Sequence, residues 1–159
     1  MEGYRKACAR LLERAERVDD ERLFNDIAWM FVIGPDAVAD YGPILQKART
    51  AVESSPDESG SNNTLGVALY RAGKYDQAVE RLNLAVAKRG GEDTASDWIF
   101  LALAHHRLGH AEEAGKWLQK AAAWIDRHAA KLPWPHRLEM ELFRAEANAV
   151  VKPGNNSPR

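Results

Sequence analysis

Residues 64–78 and 100–114 carry the same message thirty-six positions apart. Shifting the chain by that interval lays Leu65 on Leu101, Ala68 on Ala104, Arg71 on Arg107 and Gly73 on Gly109. Further on, Ala78 meets Ala114, Leu82 meets Leu118, Ala85 meets Ala121 and Ala87 meets Ala123. A period of this size with two helical patterns per unit marks a stack of helix pairs, because one pair cannot bury its apolar face alone. The chain is therefore expected to be all-α and to work by offering a surface to a partner.

Each unit has a physical logic. A first helix carries a small residue at its middle (Gly66, Ala102) and ends at Gly73 or Gly109, since glycine enters the left-handed conformation without a Cβ clash. The second helix opens on Ala78 or Ala114, where a small side chain lets two helices approach closely. Leu82 with Ala85, and Leu118 with Ala121, continue its apolar face at helical spacing.

An earlier, degenerate copy spans 21–56. Its first helix contains Asn25-Asp26-Ile27-Ala28-Trp29 and its second runs from Tyr41 to Val52, closing with Ser54-Ser55-Pro56. The segment 34–40 between them is longer than the tight turns of the later copies. Pro35 would not sit inside a helix, whereas Pro43 suits a first turn. Tyr4 to Arg17 is amphipathic, with Cys8, Leu11, Leu12 and Ala15 on one face. Leu132-Pro133-Trp134-Pro135 breaks the chain, and the helix 135–150 after it is expected to cap the last pair through Leu138, Leu142, Ala145 and Ala149. Residues 152–159, rich in Pro, Gly, Asn and Ser, are expected to be a disordered tail.

The phrases Asn63-Thr64-Leu65-Gly66-Val67-Ala68-Leu69-Tyr70-Arg71-Ala72-Gly73 and Leu103-Ala104-His105-His106-Arg107-Leu108-Gly109 resemble the tetratricopeptide repeat (TPR) family. With Asn25-Asp26-Ile27-Ala28-Trp29 they look like the TPR segments of large bacterial serine/threonine protein kinases and related multidomain signalling proteins. The resemblance implies a right-handed α-solenoid of about three helix pairs, 21–56, 59–92 and 95–128, with helix 4–17 before them and the cap after them, all in one domain over 1–151. It also implies that first helices line a concave, peptide-binding groove. Carried over residue by residue, the groove would hold Asp26 and Met30, then Asn63, Val67, Tyr70 and Arg71, then Ile99, Leu103, His106 and Arg107. Tyr70/Arg71 and His106/Arg107 would recur as an arginine-rimmed pair able to grip a carboxylate. Chaperone-binding members use a Lys and Asn clamp; the corresponding places here hold Asp26, Met30, Thr64 and Phe100, so a chaperone tail is not the expected ligand.

Composition bounds the rest. With 159 residues and 45% apolar side chains the chain suits one such domain, and a net charge of -1 does not favour nucleic acid or membrane surfaces. No run is long and apolar enough for a bilayer, and Met1-Glu2-Gly3-Tyr4 leads straight into a charged helix rather than a secretion signal. A single cysteine fits a reducing cytoplasm.

Catalytic signatures are missing: there is no phosphate-binding glycine loop, dinucleotide fingerprint or Gly-flanked nucleophilic Ser. His105, His106 and His110 approach a metal cluster, but Gly109 ends the helix between the last two, so no zinc is expected. Cys8 sits on an apolar face as an inert thiol. Trp29, Trp98, Trp117, Trp124 and Trp134 are expected in core or cap. The chain thus reads as a non-enzymatic, cofactor-free scaffold for a protein or peptide. Self-assembly through the edge helix 4–17, giving a homo-oligomer, stands as the alternative.

Overall fold

The computed structural model describes residues 2–15, 17–20, 23–90 and 95–151. The expected tail lies outside them. Within the described residues the protein is all-α: α1 (Glu2–Ala15), α2 (Phe24–Val32), α3 (Gly42–Ser54), α4 (Ser59–Arg71), α5 (Tyr75–Arg89), α6 (Ala95–Arg107), α7 (Ala111–His128) and α8 (Trp134–Val150), with a 3₁₀ turn over Ala129–Lys131 before α8. The backbone falls into two compact units, Met1–Glu92 and Asp93–Arg159.

In the first unit α4 packs against α2, α3 and α5. That enclosure explains why every residue from Ser61 to Tyr70 is buried, polar Asn62 and Thr64 included. Asn62 answers the burial of its amide by donating to the carbonyls of Pro56 (3.2 Å) and Glu58 (2.9 Å), which ties the preceding turn to the helix start. Leu82 of α5 is fully buried, a side chain whose removal from water contributes roughly 2 kcal/mol.

Both first helices stop in the same way. Gly73 N–H donates to Tyr70 O (3.0 Å) and Lys74 N–H to Leu69 O (2.9 Å); one repeat later Gly109 N–H donates to His106 O (3.1 Å) and His110 N–H to His105 O (2.9 Å). This paired arrangement is the Schellman ending. It requires the positive φ that Gly73 (75°) and Gly109 (82°) adopt.

α1 is held by a tyrosine. The Tyr4 hydroxyl donates to Met30 O (3.0 Å) and accepts from Gly34 N–H (3.1 Å), and Arg5 pairs with Asp36 at 2.7 Å. Burial of the ring pushes the phenol up to about 12, because an ionised oxygen would be poorly solvated there. Of the expected α1 face, Cys8 and Ala15 are buried, whereas Leu11 is 37% exposed.

In the second unit α6 packs on α7 and α8. Phe143 of α8 meets Phe100 of α6 edge-on at 4.9 Å, and Arg144 pairs with Asp126 of α7 at 2.6 Å. The buried row of α8 is Met140, Phe143 and Ala147. The expected row, Leu138, Leu142, Ala145 and Ala149, faces solvent instead. Both rows have helical spacing, and the large Phe143 takes the inward place opposite Phe100. Trp134, expected to pin the cap, is 70% exposed. Pro135 falls in the first turn of α8, where no N–H is needed.

Candidate functional site

The residues carried over for a groove split sharply by exposure. Asp26 and Arg107 are exposed, as is Met30 at 43%. Asn63, Val67, Tyr70, Ile99 and Leu103 are buried, Val67, Ile99 and Leu103 completely. Those five hold helices together and offer a ligand nothing without local unfolding. Enclosure is the cause: α4 has helices on three sides, and α6 is buried over ten consecutive residues.

Arg71 is only half-exposed, and its guanidinium is engaged. Nε donates to Val32 O at 3.0 Å and Nη2 to Ile33 O at 3.4 Å, so the side chain caps the end of α2, a helix with no basic residue in its own last turn. A cation there also complements the helix dipole. The ring of Tyr70 lies 5.6 Å from this guanidinium and 5.7 Å from Tyr75. The sequence pair Tyr70/Arg71 is therefore a structural joint. Its counterpart differs, since His106 is half-buried and Arg107 exposed.

The histidines meet, but as a different pair from the one considered in the sequence. The Schellman ending brings the third-last helical residue against the second residue past the cap, and here those are His105 and His110. Their Nδ1 atoms stand 3.2 Å apart with ring centroids at 5.5 Å. One imidazole must donate and the other accept, an arrangement that double protonation breaks. Burial, then the neighbouring His110, pulls the His105 pKa below the usual histidine range, with Glu113 opposing. A depressed folded value means that stability is present above the unfolded pKa and lost as pH falls through the folded one. Cooling the pH from 7.5 toward 5 is thus expected to lower the thermal midpoint of the parent more than that of His105→Leu. Equal slopes in a pair of melting series would remove the histidine contact as the cause.

Other chemistry-bearing groups are occupied in the same structural sense. Cys8 is buried, and burial raises its thiol pKa, which leaves the unreactive protonated form. Lys120 lies 4.3 Å over the ring of buried Trp98 and 5.2 Å from that of Trp117. Trp124 stacks on His128 at 4.5 Å. Among the described residues no group of three or more His, Cys, Asp or Glu side chains gathers as a metal ion would need, and no helix is long and apolar enough to cross a membrane.

What remains is a surface feature that the sequence reading placed inside. Trp134, Leu138 (47%) and Leu142 (49%) project from α8 at intervals of four, followed by exposed Ala145 and Ala149. They form one apolar row along the outer face of the helix. The signal that could have exposed it is the second row, Met140, Phe143 and Ala147: a helix end of this protein carries apolar residues on two faces where one suffices. No protein-family model matches this sequence, and no curated protein matches it.

Proposed function

We propose that this chain is a non-catalytic protein-interaction scaffold of TPR-like helix pairs, an accessory module of a bacterial cytoplasmic signalling system as its sequence resemblance implies. The observation that carries the reading is the outward row on α8. Trp134 is 70% exposed, Leu138 47% and Leu142 49%, together on the order of 350 Å² in water, within the range of the largest apolar patch on a typical monomer, which is often functional. Tryptophan is also the side chain most enriched at binding anchors.

The test is affinity capture from native cell extract with the parent and with Leu138→Lys/Leu142→Lys, both checked for helical circular dichroism. Both positions are half-exposed, so the fold should survive the change. A protein retained by the parent and lost with the folded variant is the expected result. Equal capture by both would move the working surface off α8.

A further inference from the structure

The turn that ends α6 needs no histidine. Its counterpart at the end of α4 closes with the same pair of backbone bonds and carries Leu69 and Lys74 at the places of His105 and His110. Backbone geometry alone therefore gives no reason for two imidazoles there. We propose that His105 and His110 bind a monovalent ion with a filled d shell, copper(I), in line between their Nδ1 atoms, independently of any protein partner.

The ring centroids lie 5.5 Å apart and the Nδ1 atoms 3.2 Å apart. The difference is two imidazole ring radii, so each ring points straight along the line that joins the nitrogens. Both donors thus aim at one point between them. Filled-shell monovalent ions take two imidazole nitrogens in a line, whereas zinc is held by three or four protein donors in a tetrahedron. Among the described residues no third His, Cys, Asp or Glu side chain completes the pair as a ligand set, so a divalent ion meets an unfilled shell.

Two metal–nitrogen bonds of about 2 Å in line put the nitrogens about 4 Å apart, so the gap must open by less than about 1 Å. His110 is exposed and His105 half-buried, which gives the His110 ring room to swing and the ion a way in. The two backbones stay fixed, because His110 N–H is bonded to His105 O at 2.9 Å; little ordering is left for binding to supply. The hydrogen bond displaced is at the long end of its range. On binding that bond breaks, two nitrogen–metal bonds form, and the proton between the rings passes through water to the donor ring's Nε2. Both rings remain neutral ligands. The site lies at the carbonyl end of α6, which favours a cation, and the Glu113 charge that acts on His105 offsets the positive start of α7.

Silver(I), which has the same filled shell and no accompanying redox chemistry, is the probe. All samples carry Cys8→Ala, which removes the chain's single cysteine, a stronger ligand for such ions. Calorimetric titration with silver nitrate is expected to show one site per chain, with nitrogen-15 NMR moving the Nδ1 signals of His105 and His110. His105→Leu/His110→Lys copies the turn of α4, so it should fold as its parent does and lose about tenfold or more in affinity. His106→Gln should bind like its parent, and zinc should bind more weakly than silver. Copper(I), kept reduced by ascorbate, should move the same two nitrogen signals. The proposal is overturned if silver or copper(I) does not bind, if binding survives the Leu/Lys change, if His106→Gln abolishes it, or if zinc binds more tightly.

Discussion

Phe143→Ala is expected to lower the unfolding free energy by about 3–5 kcal/mol, the range for deleting a fully buried phenylalanine from a packed core. Phe143 has no exposed surface and sits edge-on to Phe100, 4.9 Å between centroids at 72°. That geometry adds roughly 0.5–1.5 kcal/mol beyond burial. The other inward residues of α8 are Met140 and Ala147; Ala147 is too small to fill the space, and the flexible Met140 can relieve only part of the loss. Urea unfolding measures the loss, and hydrogen exchange should show α8 opening before α7. Leu142→Ala is the control. Leu142 is the adjacent residue, of similar hydrophobicity but 49% exposed, and its truncation should change stability by less than about 1 kcal/mol. A large loss for Leu142 and a small one for Phe143 would mean that the helix is rotated from the orientation described.

That pair of neighbours shows where sequence reasoning stops. The thirty-six-residue period located α4 to α7, the glycine endings of α4 and α6, and the apolar positions Leu65, Ala78 and Ala85, because those features are local and repeat. Choosing the inward row of α8 needed knowledge of its neighbour. Two rows on one helix satisfy helical spacing equally, and only the presence of Phe100 across the interface decides for Phe143. The burial of Asn63, Val67 and Tyr70 was out of reach for a related reason. A family's open face can be copied by register, but register says nothing about how many helices surround α4, and with α2, α3 and α5 around it even Asn62 and Thr64 go inside. Arg71 illustrates the last limit. Its sequence context suggested an anion partner, and nothing local announced that the guanidinium also reaches the carbonyl end of α2, thirty-nine residues away. The contact between His105 and His110 was within reach of sequence, since it follows from the Schellman ending once Gly109 is recognised as its pivot.

Gly66→Ala is the second change with a large expected effect, and its sign runs against helix propensity. In an isolated helix the substitution would stabilise by about 1 kcal/mol. Here a Cβ on residue 66 would stand 2.7 Å from Leu82 Cγ, 2.8 Å from its Cδ2 and 3.3 Å from its backbone nitrogen. Leu82 is itself fully buried, so its side chain has no empty rotamer to enter, and the backbone of α5 must move outward. Overpacking of this kind costs typically 1–3 kcal/mol. Measured against the propensity gain, a net loss of up to about 2 kcal/mol in urea unfolding is expected. The diagnostic is a double-mutant cycle with Leu82→Ala. That truncation alone should cost about 2–5 kcal/mol by opening a cavity, but it removes the atoms that the new methyl meets. In its background Gly66→Ala should therefore become neutral or stabilising, giving a coupling of 1 kcal/mol or more, whereas sites that do not touch add within about 0.5 kcal/mol. Simple additivity would show that Gly66 is not the point at which α4 and α5 close on each other. The counterpart position already carries Ala102, fully buried, while the residue matching Leu82, Leu118, is only half-buried. A methyl is therefore tolerated at the sequence counterpart of residue 66, where the residue matching Leu82 is less enclosed.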